Sequence, residues 1–416
     1  MIRFWLAALA CLLAACRPAP PPKQAIVILV SIDGWRWDYL DKYEAPTVAK
    51  LAADGVRADG LIPQFPSKTF PNHYTIVTGL RLANHGIISN NMRAADVPGE
   101  FSMSNRAVLS DSRWWGGEPI WNTLERQGGI ASAMFWPGSE AAINGRHATY
   151  WMPYDDDMSQ ADRVGKILEW LKLPDDRRPT LLTLYYAEVD TSGHRYGPES
   201  DEVRAAIRGV DQSLGQLVAG VRELRLDDRV HYVLVSDHGM SEVTRDRAIV
   251  LDDYIDVAAA DVVDWSPVLG LSPKDGNVDR MYAALKGKHP RLVVYRRDEL
   301  PAVYGLTGHP RLPAIIGIAD DGWQIVSRMD TARWREPGSR SGTGGQHGYD
   351  ARLKSMQGLF VASGPRVASG VRVAAFENIH VYDFMCALLG IMPANNDGDP
   401  AVTRDMLRYQ PKGFAP

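Results

Sequence analysis

Apolar positions in this chain fall into short, nearly continuous runs, each closed by a polar cluster. The runs lie at 25–30, 130–135, 180–186, 231–235 and 359–362. Between them the apolar residues recur at helical spacing, over 45–54, 72–78, 119–127, 158–171, 202–223 and 380–389. Runs without a polar face, alternating with helices, predict an α/β fold with a mostly parallel sheet covered by helices on both faces. From 241 to 340 the rhythm changes. Runs at 292–295, 314–318 and 323–326 predict strands of an α+β insertion packed on the main domain, which itself is expected to span 24–400 and leave a tail at 401–416. No fixed-period repeat is visible.

Residues 1–16 read differently. Arg3 precedes an apolar stretch that ends in Leu13-Ala14-Ala15-Cys16. This is the layout of an export signal, and its end resembles a bacterial lipobox whose Cys16 would carry the lipid. Residues 17–23 are Pro-rich, as a semi-rigid tether would be. The expected placement is therefore exported, periplasmic or cell-surface, anchored to the membrane through Cys16; Arg17 after the cysteine favours the outer membrane. Cys386 falls in an apolar helical pattern and is expected to be a core thiol. No second apolar window is long enough to cross a membrane.

The chain has 416 residues, 45% of them hydrophobic, which excludes a fibre or a disordered tail. Its 46 Lys and Arg against 50 Asp and Glu give a net charge of −4. That balance argues against a grip on polymeric nucleic acid. It leaves small phosphorylated substrates open, because a metal can supply positive charge locally.

In open α/β sheets the ligands lie beyond the carboxyl ends of the strands. Ser31-Ile32-Asp33-Gly34 follows the first run, Glu188 to Gly197 the third, Ser236-Asp237-His238-Gly239 the fourth, and Gly344-Gly345-Gln346-His347-Gly348 precedes the last. These Gly-rich segments, expected to be loops, carry Asp33, Asp190, His194, Asp237, His238 and His347. Three Asp and three His exceed the needs of one tetrahedral ion and suit two Zn²⁺ with three ligands each. Thr69 precedes a helical stretch; a helix N-terminus favours an anionic phosphoryl group, and a Thr hydroxyl needs activation to attack one.

With those residues in place, the chain resembles the nucleotide pyrophosphatase/phosphodiesterase family of the alkaline phosphatase superfamily, over nearly all of 24–400. The segments PSKTFPNHYTIVTGL, AEVDTSGHRYGP, SDHGM, FWPGSEAAINGRHATYWMPY and FENIHVYDFMCALLGIMPANNDG are similar to family features. The resemblance implies an alkaline-phosphatase-like fold and two zinc sites. Asp190, His194 and His347 would hold one ion; Asp33, Asp237 and His238 the other, with Thr69 as the nucleophile touching it. A covalent phosphothreonine would form and then hydrolyse. Asn90 would donate to a phosphoryl oxygen, although Asn91 beside it offers an alternative register.

The resemblance favours phosphodiesters. A monoester dianion generally needs further cationic donors. Lys68 is the nearest cation, and its family counterpart faces solvent. Phe70 and Tyr154 resemble the aromatic walls of nucleotide-cleaving members, with Trp136 and Tyr185 at other aromatic positions of that pocket. Asp155, Asp156 and Asp157 are expected in a solvated loop. A nucleotide or other small phosphodiester is thus the expected substrate and a nucleoside 5′-monophosphate the product. Alternatives are a phospholipid or choline-phosphodiester hydrolase of the same family, a phosphomonoesterase, and a catalytically idle zinc-dependent surface binding protein.

Overall fold

Ile26–Ile32 forms β1, and all seven residues are buried. Val27 and Leu29 join one buried cluster, while Ile26, Ile28, Val30 and Ile32 join another. A strand that buries alternate residues in two cores has to lie inside a sheet covered on both sides. The computed structural model in which this is seen describes residues 24–408. The expected signal at 1–16 and tether at 17–23, with Cys16, lie outside the described residues, as do 409–416.

Five strands follow β1 into the same sheet: β2 (Val56–Ala58), β3 (Ala131–Met134), β4 (Tyr150–Met152), β5 (Leu181–Tyr186) and β6 (Val230–Val235). Four others form a separate antiparallel sheet: β7 (Ala260–Asp264), β8 (Val268–Pro273), β9 (Leu292–Arg296) and β10 (Ile315–Ala319), in the order 7-8-10-9. The chain then returns to the large sheet with β11 (Phe360–Ser363) and β12 (Val371–Val373). The large sheet has the order 12-2-11-6-1-5-3-4. β1 runs parallel to β5 and β6, and β3 runs parallel to β4 and β5. β11 is antiparallel to both its neighbours.

On one face lie α1 (Pro46–Asp54), α4 (Gln160–Leu171) and α6 (Asp201–Glu223); on the other lie α2 (Thr69–Thr78) and α3 (Ile120–Arg126). The amphipathic α4 buries Val164, Ile167 and Leu171, and it is followed by α5 (Glu188–Tyr196) and α6. Ser200 caps α6 by accepting the Val203 N–H, and Asp201 and Glu202 suit the positive end of its dipole. Its buried stripe, Val203, Ile207, Val210, Leu214, Leu217 and Val221, keeps to helical spacing. In the insertion α7 (Val278–Leu285) packs with β8 and β9. Near the end α8 (Val381–Leu389) buries Cys386 completely.

Two expectations change. Residues 188–196 are helical, not a loop. Gly193 and the hydroxyl residues around it are weak helix formers, but a Cβ at Gly193 would lie 3.0 Å from Met240 Cε, so the helix packs tightly on the loop after β6. Residues 324–326 form a short strand that pairs in parallel with 248–250. The chain also stays packed beyond 400: Met406 is buried and the Ala368 N–H donates to its carbonyl at 2.9 Å. Strand β7 carries partly exposed, mixed residues whose alternation is too weak to read in advance.

Candidate active site

The carboxyl ends of β1, β5 and β6 and the N-terminus of α2 converge. Asp33 follows β1, Asp237 and His238 follow β6, and Asp190 and His194 stand one helical turn apart on α5. Residues four apart share a helix face, so α5 presents both to the same point. His347 enters from the strand Gly344–Gln346, which packs on α5. Two groups result, Asp190 with His194 and His347, and Asp33 with Asp237 and His238; within each, the potential ligand atoms lie within 4.8 Å of one another. The groups adjoin: the His238 and His347 rings stack with centroids 3.5 Å apart.

Close backbone approach makes this convergence feasible. Gly34 has φ +67°, and a Cβ there would lie 2.9 Å from Asp190 Cα. Gly344 has φ +126°, and a Cβ there would lie 2.0 Å from the His194 carbonyl oxygen. Only glycine satisfies both the positive φ and the contact.

The donor set fits divalent metal ions. His194, His238 and His347 each turn Nδ1 to a backbone carbonyl, of Gly345, Gly239 and Ser67, at 2.9, 2.9 and 2.8 Å. A proton held there leaves the Nε2 lone pairs free for a metal. Those Nε2 atoms face the carboxylates: His194 and Asp190 at 3.4 Å, His238 and Asp33 at 3.4 Å, His238 and Asp237 at 3.0 Å. Such separations match the edge of a zinc tetrahedron with bonds of about 2.0–2.1 Å. Asp33 Oδ1, Asp190 Oδ1 and Asp237 Oδ2 are buried without hydrogen-bond donors. Burial, then the charges of Asp237 and Asp190, push the Asp33 carboxyl far above its usual range. Burial pushes Asp237 the same way, but His238 and His73 override it and hold that group well below the usual range. Burial, then His238 and His194, keep His347 neutral. A bound cation would complement such a cluster of carboxylates and imidazoles.

Thr69 is the first residue of α2 and is buried to 8% exposure, its Oγ1 3.3 Å from His238 Nε2. Asn90 Oδ1 accepts the Phe70 N–H at 2.9 Å. That bond consumes the amide oxygen and leaves the NH₂ as a donor. Asn91 instead begins a short strand, 91–93, so Asn90 is the residue at the helix end.

Beside Thr69 opens a cavity of about 660 Å³ including its mouth, lined by Phe70, Phe135, Trp136, Tyr154 and Tyr185 among others. Phe135 takes a left-handed φ of +60° as the chain leaves β3, a conformation that large side chains adopt only when the surroundings impose it. Trp136 is almost fully buried, its Nε1 donating to the His73 carbonyl at 2.9 Å. Tyr185 has two roles: its ring lines the cavity and its OH donates to Asp33 Oδ2 at 2.6 Å. Tyr154 is half-buried, and its OH donates to Asp156 in the exposed 155–157 loop at 2.7 Å.

Some residues of the site escaped the sequence reading. His73, fully buried, lies between Asp237 Oδ2, 3.3 Å from its Nδ1, and Ser31 Oγ, 2.7 Å from its Nε2. Its spacing of four from Thr69 on one helix was the available signal. Arg106 and Glu140 pair at 3.1 Å in the cavity wall, with the Arg106 guanidinium 5.6 Å from the Tyr154 ring centre; nothing local in the sequence marks them. Lys68 corrects an expectation. It is buried at 5% exposure and ion-paired with Asp264 of the insertion, not exposed. The carboxylate that permits its burial lies far along the chain.

The type I phosphodiesterase / nucleotide pyrophosphatase family matches residues 27–350. Human ectonucleotide pyrophosphatase/phosphodiesterase family member 5 is 35% identical over 93% of this chain and 79% of its own length. Bovine bis(5′-adenosyl)-triphosphatase ENPP4 is 35% identical over 95% of this chain and 85% of its own. A venom phosphodiesterase from Crotalus durissus collilineatus is 36% identical over 93% of this chain, which spans about half (47%) of the venom protein's length. Among solved structures, murine family member 5, as an inactive variant in complex with AMP, superposes with a TM-score of 0.86 at 35% identity, covering 92% of this chain and 100% of that one. The chain therefore belongs to the nucleotide pyrophosphatase/phosphodiesterase family of the alkaline phosphatase superfamily, enzymes that hydrolyse phosphodiester bonds.

Proposed function

We propose that this enzyme hydrolyses nucleotide phosphodiesters and phosphoanhydrides, releasing nucleoside 5′-monophosphates through a covalent ester on Thr69. The observation that carries the reading is the position of Thr69 Oγ1, 3.3 Å from His238 Nε2, at a helix N-terminus that opens into an aromatic-lined cavity. Asp190, His194 and His347 would hold one Zn²⁺ and Asp33, Asp237 and His238 a second. When bound, the ions supply positive charge for the phosphoryl oxygens and lower the pKa of a nearby hydroxyl.

The chain's own residues account for the rest. Thr69 Oγ1 gives its proton to solvent and attacks phosphorus; the new Thr–O–P bond forms as the bond to the leaving oxygen breaks, and that oxygen departs on pyrophosphate or a second nucleotide. Water then attacks the same phosphorus and returns the hydroxyl to Thr69. The Asn90 NH₂ and the positive end of α2 meet the charge that gathers on the non-bridging oxygens. Phe70 and Tyr154 offer flat faces to a base, where stacking contributes about 1–3 kcal/mol. Lys68, engaged with Asp264, is not available as the extra cation a monoester dianion asks for, which favours diesters. The AMP complex of the murine relative and the dinucleotide named for the bovine one favour nucleotides.

Thr69→Ala is expected to keep its bound metal and lose nearly all diesterase turnover; wild-type turnover in that variant refutes the covalent route. A panel of a nucleoside triphosphate, a dinucleoside polyphosphate, glycerophosphocholine and an aryl monoester tests the substrate. Preference for the choline ester or the monoester replaces the nucleotide assignment.

The export signal at 1–16 and lipidation at Cys16 complete the reading. No helix among the described residues is long and apolar enough to cross a membrane. Cys16→Ala is expected to abolish incorporation of a labelled fatty acid and release the enzyme from the membrane fraction; unchanged labelling rules the anchor out.

A further inference from the structure

We propose that Asp264, a residue of the insertion, is a positioning residue that sets the spacing between Thr69 and Asn90. The inference rests on the reading of those two as the attacking and the charge-stabilising groups.

Asp264 closes β7, where the register against β8 shifts between Val262 and Asp264. A bulge of this kind re-aims a side chain out of the regular alternation. The carboxylate of Asp264, only 15% exposed, is directed at the main domain. Its Oδ1 accepts the Trp265 N–H at 3.1 Å, which fixes the plane of the group. Its Oδ2 accepts from two donors, Lys68 Nζ and Ser89 Oγ. Lys68 immediately precedes Thr69, and Ser89 immediately precedes Asn90. One oxygen of the insertion thus grips the chain just before the nucleophile and just before the amide donor.

On the far side the same two segments are joined again, by the Phe70 N–H to Asn90 Oδ1 bond of 2.9 Å. The contacts close a ring: Asp264, Lys68, Thr69, Phe70, Asn90, Ser89 and back to Asp264. Lys68 has little freedom to leave it. A Cβ at Gly348, next to His347, would lie 3.2 Å from Lys68 Cε, so the His347 loop walls the lysine stem. Ser67 locks that loop in turn: its Oγ donates to the Tyr349 carbonyl at 2.9 Å and accepts the Gly348 N–H at 3.1 Å. A charge-assisted pair of this kind holds its geometry better than a neutral bond. Stabilisation of a phosphoryl oxygen depends on that geometry, since a misplacement near 1 Å is worth roughly 100-fold in rate. In this arrangement the insertion acts on the reaction without touching substrate.

Asp264→Asn preserves shape and removes the charge that holds Lys68. On the metal-loaded enzyme with an aryl nucleotide diester, kcat is expected to fall by about 10- to 100-fold, with KM changed by less than about threefold. Bound metal should equal that of the wild type, whereas Tm should fall, because Lys68 loses the carboxylate that permits its burial; kcat is therefore read well below the variant's Tm. The same substitution made in Asn90→Ala is expected to lower kcat much less, because the group it positions is already gone. Wild-type kcat in Asp264→Asn, a loss that follows metal content, or full multiplication of the two losses each overturns the proposal. Should Asp264→Asn fail to fold, Ser89→Ala cuts only the Asn90 arm, and it must lower kcat with the same dependence on Asn90; unchanged kcat there overturns it too. Thr69→Ala, assayed alongside, separates the two levels: wild-type turnover in that variant removes the underlying reading, whereas a silent Asp264→Asn removes only the clamp.

Discussion

Single side chains here are held in protonation states by what surrounds them. His85 shows this away from the metal groups. Its Nδ1 accepts the Ile87 N–H at 3.1 Å and its Nε2 stands 3.0 Å from Thr75 Oγ1, so the ring is neutral with its proton on Nε2. Complete burial pushes its pKa down to about 3. Unfolding returns it to about 6.5. Above that value neither state binds the proton, and the neutral ring's contribution to stability is complete. As pH falls from about 6.5 toward 3 the unfolded chain takes up a proton that the folded one refuses, and stability drops by up to ~1.4 kcal/mol per pH unit. His85→Gln, which keeps a donor and an acceptor, is expected to flatten the fall of Tm between pH 7 and 4 relative to wild type. Parallel slopes for the two proteins contradict the assignment. The three imidazoles of the candidate metal groups were recognisable in the sequence; the carbonyl that orients His347 was not, because Ser67 is 280 residues away.

Elements matter here through how closely their backbones approach. α5 carries two of the proposed ligands, yet its position is set by glycines on other segments. Gly34 lets the loop after β1 touch the first turn of α5. Gly34→Ala adds a methyl group 2.9 Å from Asp190 Cα and strains a φ of +67°. It is expected to lower stability by about 1–3 kcal/mol and to weaken metal binding by pushing Asp33 and Asp190 apart. Thermal melting and metal titration check this; unaltered metal affinity means that the contact does not set the separation of the two groups. The central strands were legible because fully buried runs leave no other solution. The helix at 188–196 was not, since its residues favour helix weakly and its stability comes from packing against Met240 and the Gly344–Gln346 strand.

For the whole molecule the site is also a place where folding and ligand binding meet. Asp33, Asp190 and Asp237 bring buried oxygens without donors into two adjoining groups, an arrangement that repels itself unless a cation is bound. Anything that binds only the folded form stabilises it by mass action. Chelation is therefore expected to lower Tm by several degrees and abolish turnover, with both restored by Zn²⁺. A Tm indifferent to chelator shows that the carboxylates are not metal ligands. Loss of metal should grow toward acidic pH, because a proton displaces the ion from each imidazole. Burial disfavours charge on His238, but Asp237 outweighs it and draws a proton there when no ion competes.

From the order of residues alone came the alternation of buried strands and helices and, as candidates, the six Asp and His side chains that the fold gathers into two groups, Thr69 and the aromatic positions, since all of these depend on local pattern and motif. Folding decided what depends on contact between distant segments. It buried Lys68 against Asp264, placed His73 between Asp237 and Ser31, turned Tyr185 onto Asp33 and paired Arg106 with Glu140. Each is a polar partnership across a long stretch of chain, where the energy of burying a charge or a hydroxyl is set by whichever group the tertiary fold brings within a few ångströms.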